Sequence, residues 1–201
     1  MNKETFIFIG ASGCGKGTQV ALVKEELAKT DPTTPIFYVQ TGQCFRDFVK
    51  GNSYAARTAR ETVEGGKLLP GFVAMWLWSD IFVKNLTGNE HLILDGSPRT
   101  KDEATHLDIA FKFFKRIRPK VIYIKVSRDW SLKRMLERAT KESRSDDTED
   151  SIQRRLSWFD RDVLPAIEMY RRDRDYDFFE INGEQSVEAV HRDIMANVFG
   201  V

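Results

Sequence analysis

The sequence predicts a three-layer α/β/α fold with a five-stranded parallel sheet. Five short, largely apolar runs, at 5–9, 36–39, 92–94, 120–126 and 177–181, alternate with longer stretches of helical periodicity. Continuous apolar runs of this length suit strands covered on both faces. Such alternation implies right-handed crossovers, helices on both sides of the sheet, and a ligand crevice at the carboxyl ends of the strands.

The first run, Phe6-Ile7-Phe8-Ile9, leads into Gly10-Ala11-Ser12-Gly13-Cys14-Gly15-Lys16-Gly17-Thr18-Gln19 and then a helical stretch over 17–29. Strand, glycine turn, lysine and helix together make a polyphosphate cradle. Glycines let successive N–H groups converge, the helix start adds positive dipole, and Lys16 supplies a mobile charge. A bound nucleoside triphosphate is therefore expected. The second run is followed by Thr41-Gly42-Gln43-Cys44-Phe45-Arg46, where Gly42 permits a tight entry and Arg46 lies one turn along. In the helix predicted over 71–84, Trp76 and Trp78 face different directions, one toward the core and one toward the preceding segment.

The third run ends in Asp95-Gly96-Ser97-Pro98-Arg99-Thr100. A strand-terminal acid facing a phosphate loop is where a magnesium water shell is oriented, and Arg99 projects into the same crevice. After the fourth run, a helix over 129–140 carries Arg134 and Arg138 at i, i+4. A wholly polar stretch at 141–147 reads as a small exposed flap bearing Arg144, and a helix over 148–172 carries Arg155. Singly, each arginine is an ordinary surface residue. As a group they supply the cations that phosphoryl transfer requires around the moving group.

The 201 residues suffice for one well-buried domain, and 41% are hydrophobic without any run near the ~20 residues of a membrane span. With 31 basic and 30 acidic side chains, the net charge of +1 gives no reason to invoke a nucleic-acid partner. The amino terminus runs straight into a strand, leaving no room for a secretory signal, and a cytoplasmic protein is expected; a monomer is expected as well. Cys14 and Cys44 lack metal-ligand spacing and suit a reducing compartment.

Taken together, residues 10–19, Thr41-Gly42 with Arg46, Gly66-Lys67-Leu68-Leu69-Pro70, Asp95-Gly96 with Pro98-Arg99-Thr100, and Arg138, Arg144 and Arg155 resemble the nucleoside monophosphate kinases, most of all adenylate kinase. The resemblance spans essentially the whole chain. It implies a core, a helical arm for the acceptor nucleotide at about 40–69, and a short LID at about 139–145 with no cysteine and so no zinc site. It also implies roles. Ser12, Gly13, Cys14, Gly15, Lys16, Gly17 and Thr18 would hold ATP, with Arg134 over the donor adenine and the turn at Gln185 beside it. Thr41, Gly42, Arg46, Lys67, Leu68, Leu69, Gly96, Arg99 and Glu103 would hold the acceptor. Arg138, Arg144 and Arg155 would close onto the phosphates, and Mg2+ would sit through waters near Thr18 and Asp95. The implied reaction is ATP + AMP giving two ADP.

Three positions depart from the family pattern: Gln43 in place of Asp, Ser97 in place of an aromatic, and Glu103 in place of Gln. Gln43 removes a negative charge near the phosphates, and Ser97 is expected to loosen the turn carrying Arg99. A Gln offers one donor and one acceptor, matching adenine; an ionised Glu accepts only and suits guanine, whereas a protonated Glu imitates Gln. AMP is the first expectation, with GMP or CMP behind it. A weakened, nucleotide-sensing homologue is the rival reading, and the retained lysine and arginines argue against it.

Overall fold

The computed structural model describes residues 3–64, 69–142 and 148–200. Among them run β1 (Thr5–Ile9), α1 (Lys16–Thr30), β2 (Ile36–Gln40), α2 (Thr41–Val49), α3 (Tyr54–Glu64) and α4 (Gly71–Asn85). There follow β3 (His91–Asp95), α5 (Lys101–Phe113), β4 (Lys120–Lys125), α6 (Arg128–Glu142), α7 (Glu149–Trp158), α8 (Leu164–Arg172), β5 (Asp177–Asn182) and α9 (Val187–Ile194). The strands form one parallel sheet in the order β2-β3-β1-β4-β5. Central β1 puts Ile7 against Leu94 on one side and Val121 on the other.

Side chains alternate across each strand, and the two faces build separate cores. On one face Ile7, Leu92, Leu94 and Val121 pack with Trp78 and Phe82 of α4, Leu107 and Phe111 of α5, and Ile167 and Tyr170 of α8. On the other, Phe6, Phe8, Ile93 and Ile122 pack with Val20, Val23 and Leu27 of α1 and Val190 and Ile194 of α9. That is the expected three-layer arrangement. A smaller cluster of Ala11, Met135, Ile152 and Leu156 seats α6 and α7 over the glycine loop.

One helical expectation is modified. The stretch 148–172 is not a uniform helix, because Phe159–Val163 forms a π-helical turn between α7 and α8. Pro165 lies in the first turn of α8 and has no N–H to return to the preceding turn. The wider turn passes the Leu164 N–H to the Phe159 carbonyl instead. Phe159, Asp162 and Val163 thereby line the central cavity.

At the opposite end of the sheet, Arg116 and Glu90 form a buried ion pair. Arg116 Nη1 also donates to the Glu90 carbonyl at 2.7 Å. Burial disfavours the charge on Glu90, but hydrogen bonds from Thr87 and Gly88 and the Arg116 guanidinium outweigh it and hold the carboxyl below its ordinary value.

Candidate active site

The carboxyl ends of β1, β2 and β3 open on one cavity of about 1180 Å³. The glycine loop forms its floor. Gly13, at φ 83°, belongs to the left-handed region that favours glycine, and a Cβ there would meet the Ser131 carbonyl and Met135 at 3.0 Å. Gly10 is tighter, because a Cβ there would lie 2.6 Å from the Ile124 carbonyl oxygen. A side-chain-free loop therefore lets α1 begin directly under the cavity. The Lys16 ammonium donates to the carbonyls of Gly10 and Ala11 at 2.8 and 3.0 Å, within the same loop.

Most residues expected at the site line this cavity: Ser12, Gly13, Gly15, Lys16, Gly17 and Thr18 from the loop, and Gly42, Arg46, Leu69, Asp95, Gly96, Arg99 and Glu103 on the opposite wall. Arg134, Arg138 and Arg155 approach from α6 and α7. Lys67, Leu68 and Arg144 lie outside the described residues, as do Gly66 and the end of the expected LID.

Three expected residues are not among the lining. Cys14 is buried in the core with Val20 and Ile122, beneath the loop, and its Sγ lies 3.6 Å from the Lys16 ammonium. Thr41 is also buried, and its hydroxyl pairs with that of Ser97 at 2.8 Å. Gln185 donates to Asp193 at 2.7 Å and to the Asn182 carbonyl at 2.9 Å, in the turn after β5. Ser97 does not loosen its turn. Fully buried, it ties the turn after β3 to the start of α2.

Positive charge converges on the wall that carries Arg46 and Arg99. Burial lowers the pKa of Arg99 from the ordinary arginine value, Glu103 and Asp95 oppose the fall, and the like charges of Arg155 and Arg46 deepen it. Arg99 Nε donates to the Gly96 carbonyl at 3.0 Å, and its guanidinium lies 5.5 Å from the Phe45 ring centroid. Arg99 thus feels the charges of Arg46 and Arg155, which come from two other segments.

Glu103 has a local role that its identity half announces. Thr100 caps α5 by accepting from the Glu103 N–H at 3.1 Å, and Glu103 Oε2 reaches back to the Arg99 N–H at 2.6 Å. Thr100 is thus the N-cap, and the Glu103 carboxyl satisfies the N–H of the residue before it, a bond that the carbonyl oxygen of Gln would accept as well. The other oxygen, Oε1, is buried without a partner in hydrogen-bonding geometry. Burial pushes the carboxyl above its ordinary value, against the Arg99 N–H, Ser97, the Arg99 charge and Trp78, which favour the anion. Trp78 is buried beside it, while Trp76 is half exposed and packs on Phe48 at 5.3 Å, so the two indoles do face different ways.

Sequence reasoning missed Tyr38. It lines the cavity from β2 and donates its hydroxyl to Asp95 Oδ2 at 3.0 Å. No motif marks it, since its place follows from the pairing of β2 with β3, in which Tyr38 stands opposite Ile93. Asp95 and Thr18 both present oxygen to the cavity, a hard donor set that fits Mg2+ held through water. Among the described residues, no helix is long and apolar enough to cross a membrane.

The family model described as adenylate kinase matches residues 8–175. The chain is similar to the adenylate kinase of Leptospira biflexa serovar Patoc, at 32% identity over 195 residues, covering 97% of this chain and 100% of that protein. The adenylate kinase of Azobacteroides pseudotrichonymphae is 31% identical over 189 residues, 94% of each chain. That of Desulforudis audaxviator is 31% identical over 219 positions, covering 96% of this chain and 98% of the other.

Proposed function

The chain belongs to the adenylate kinase family, and on that premise we propose that this nucleoside monophosphate kinase transfers the terminal phosphoryl group of ATP to AMP, yielding two ADP. The observation that carries the reading is the meeting of Lys16 with Arg46, Arg99 and Arg155 around one cavity. The glycine loop and Lys16 bind the triphosphate on one side, and Arg46 and Arg99 hold the acceptor phosphate on the other. Arg138 and Arg155 approach between them, Arg134 covers the donor base, and the resemblance gives Arg144 a part in closing onto the phosphates.

The attacking oxygen of a nucleoside monophosphate is already ionised near neutral pH, so no general base is required. The protein's work is alignment and charge compensation. Each preorganised donor aimed at the developing charge contributes roughly 3–4 kcal/mol to the transition state. Bound Mg2+ would neutralise charge on the donor phosphates, with Asp95 and Thr18 orienting its water shell. Closure of the arm over about 40–69 and the LID over about 139–145 would exclude water, which otherwise competes for the phosphoryl group.

AMP is the acceptor that the family resemblance favours; Glu103 lines the cavity where the family carries Gln, and only a protonated Glu103 would offer one donor and one acceptor as Gln does. A coupled assay with ATP and each of AMP, GMP, CMP, UMP and dTMP tests the proposal. AMP is expected to be the best acceptor; a GMP preference that Glu103→Gln abolishes would replace it with the guanine reading. Equal, background rates for all five would remove the kinase assignment for this chain.

A further inference from the structure

Gln43, Arg46 and Asp47 of α2 and Lys50 at its C-cap recur at i, i+3, i+4 and i+7 and share one helix face. Gln43 Oε1 accepts two bonds from Arg46, from Nε at 3.1 Å and from Nη2 at 2.8 Å. On its other side the same amide donates from Nε2 to both oxygens of Asp47, at 2.9 and 3.0 Å. Asp47 also receives Lys50 Nζ at 3.1 Å. The chemistry fixes the amide's orientation, because a flipped group would set its NH2 against the guanidinium and its oxygen against the carboxylate.

The consequence falls on the Arg46 donors that Gln43 does not use. A Cβ built on Gly42 would lie 3.6 Å from Arg46 Nη1 and 3.6 Å from Arg99 Nη2. Two guanidinium groups from different elements therefore flank one small patch of bare backbone in the cavity wall. A long, half-buried arginine side chain otherwise samples several rotamers, and each rotamer frozen in advance is entropy that the ligand need not remove.

We propose that Gln43 is a positioning residue for the acceptor phosphate: by gripping Nε and Nη2 of Arg46 while anchored to Asp47, it aims Nη1 beside Arg99. This rests on the reading of Arg46 as a ligand of the acceptor phosphate. An aspartate or glutamate here would offer the oxygen without the donor to Asp47; an apolar side chain would offer neither. The position is therefore sensitive to hydrogen-bonding capacity more than to shape.

The test is steady-state kinetics with ATP and AMP varied separately, together with thermal unfolding, for Gln43→Met, Gln43→Glu and Arg46→Ala. Gln43→Met, similar in length and helix propensity, is expected to raise the AMP KM about five- to tenfold, with the ATP KM and Tm unchanged. Gln43→Glu retains the oxygen facing Arg46 and is expected to recover most of that loss. An unchanged AMP KM in Gln43→Met, while Arg46→Ala raises it strongly, overturns the positioning role alone. Equal impairment in the Met and Glu variants, or a rise in both substrates' KM, also overturns it. An unchanged AMP KM in Arg46→Ala removes the underlying reading of the acceptor site, and the role of Gln43 with it.

Discussion

The hydroxyl of Tyr38 donates to Asp95 Oδ2 at 3.0 Å, linking an edge strand to the acid at the end of its neighbour. Burial and the Asp95 charge both push the phenol well above its ordinary pKa, so it is a protonated donor near neutral pH. A donor on one carboxylate oxygen leaves the other to face the cavity. Removing it from Tyr38→Phe is expected to raise the Mg2+ concentration for half-maximal activity about tenfold without changing Tm. A magnesium titration at saturating nucleotide checks this; an unchanged midpoint would show that Tyr38 only packs.

Arg99 sits between Arg46, Arg155, Asp95 and Glu103, with its Nε held by the Gly96 carbonyl. Arg99→Ala should lower kcat by about 10²- to 10³-fold while leaving the far-ultraviolet circular dichroism unchanged. Near-normal turnover in a folded variant would detach the turn after β3 from the chemistry.

Glu103 carries a pH signature. Burial raises its carboxyl pKa in the folded state, so the folded protein keeps this proton to higher pH than the unfolded chain does. Stability from that proton is complete below the unfolded value and is lost as pH rises through the folded one. Glu103→Gln preserves the helix cap without the buried charge. It should be about 1 kcal/mol more stable than the parent at about pH 8, and little different at about pH 4. Urea unfolding at both values decides it, and a difference that does not change with pH would show that the Glu103 carboxyl titrates alike in the folded and unfolded chain.

The Glu90–Arg116 pair responds in the opposite direction. The Glu90 carboxyl lies below its ordinary value, so its contribution is present above the unfolded pKa and disappears as the solution is acidified. Arg116→Met leaves a buried carboxylate without its cation and should cost about 3 kcal/mol at neutral pH. Pairing it with Glu90→Leu should recover most of that loss in denaturant melts. Equal losses in the single and double variants would assign the effect to packing around Arg116.

The five strands, the glycine cradle and the placing of Arg46, Asp95 and Arg99 were legible because each rests on a local signal: an apolar run, a turn residue, or a charge at a fixed offset. Helices α2, α3 and α5 were not set apart by periodicity alone, although the resemblance implied a helical arm. What escaped was tertiary. Tyr38 reaches Asp95 only through strand pairing, and the buried Thr41–Ser97 bond joins residues 56 positions apart. The π-helical turn before Pro165 had a visible cause, yet a helix carrying a proline in its first turn gives no sign of the preceding irregularity. Glu103 was readable as an unusual base contact, and only the structure shows its Oε2 on the Arg99 N–H.

The central claim is that two nucleotides lie end to end in one cavity, one on the glycine loop and the other against Arg46 and Arg99. Inhibition by a bisubstrate analogue, two adenosines joined through a polyphosphate, measures this most directly. Competition against both ATP and AMP is predicted, with the affinity falling sharply in Arg46→Ala and in Lys16→Ala. Competition against ATP alone, with no effect of Arg46→Ala, would contradict the account.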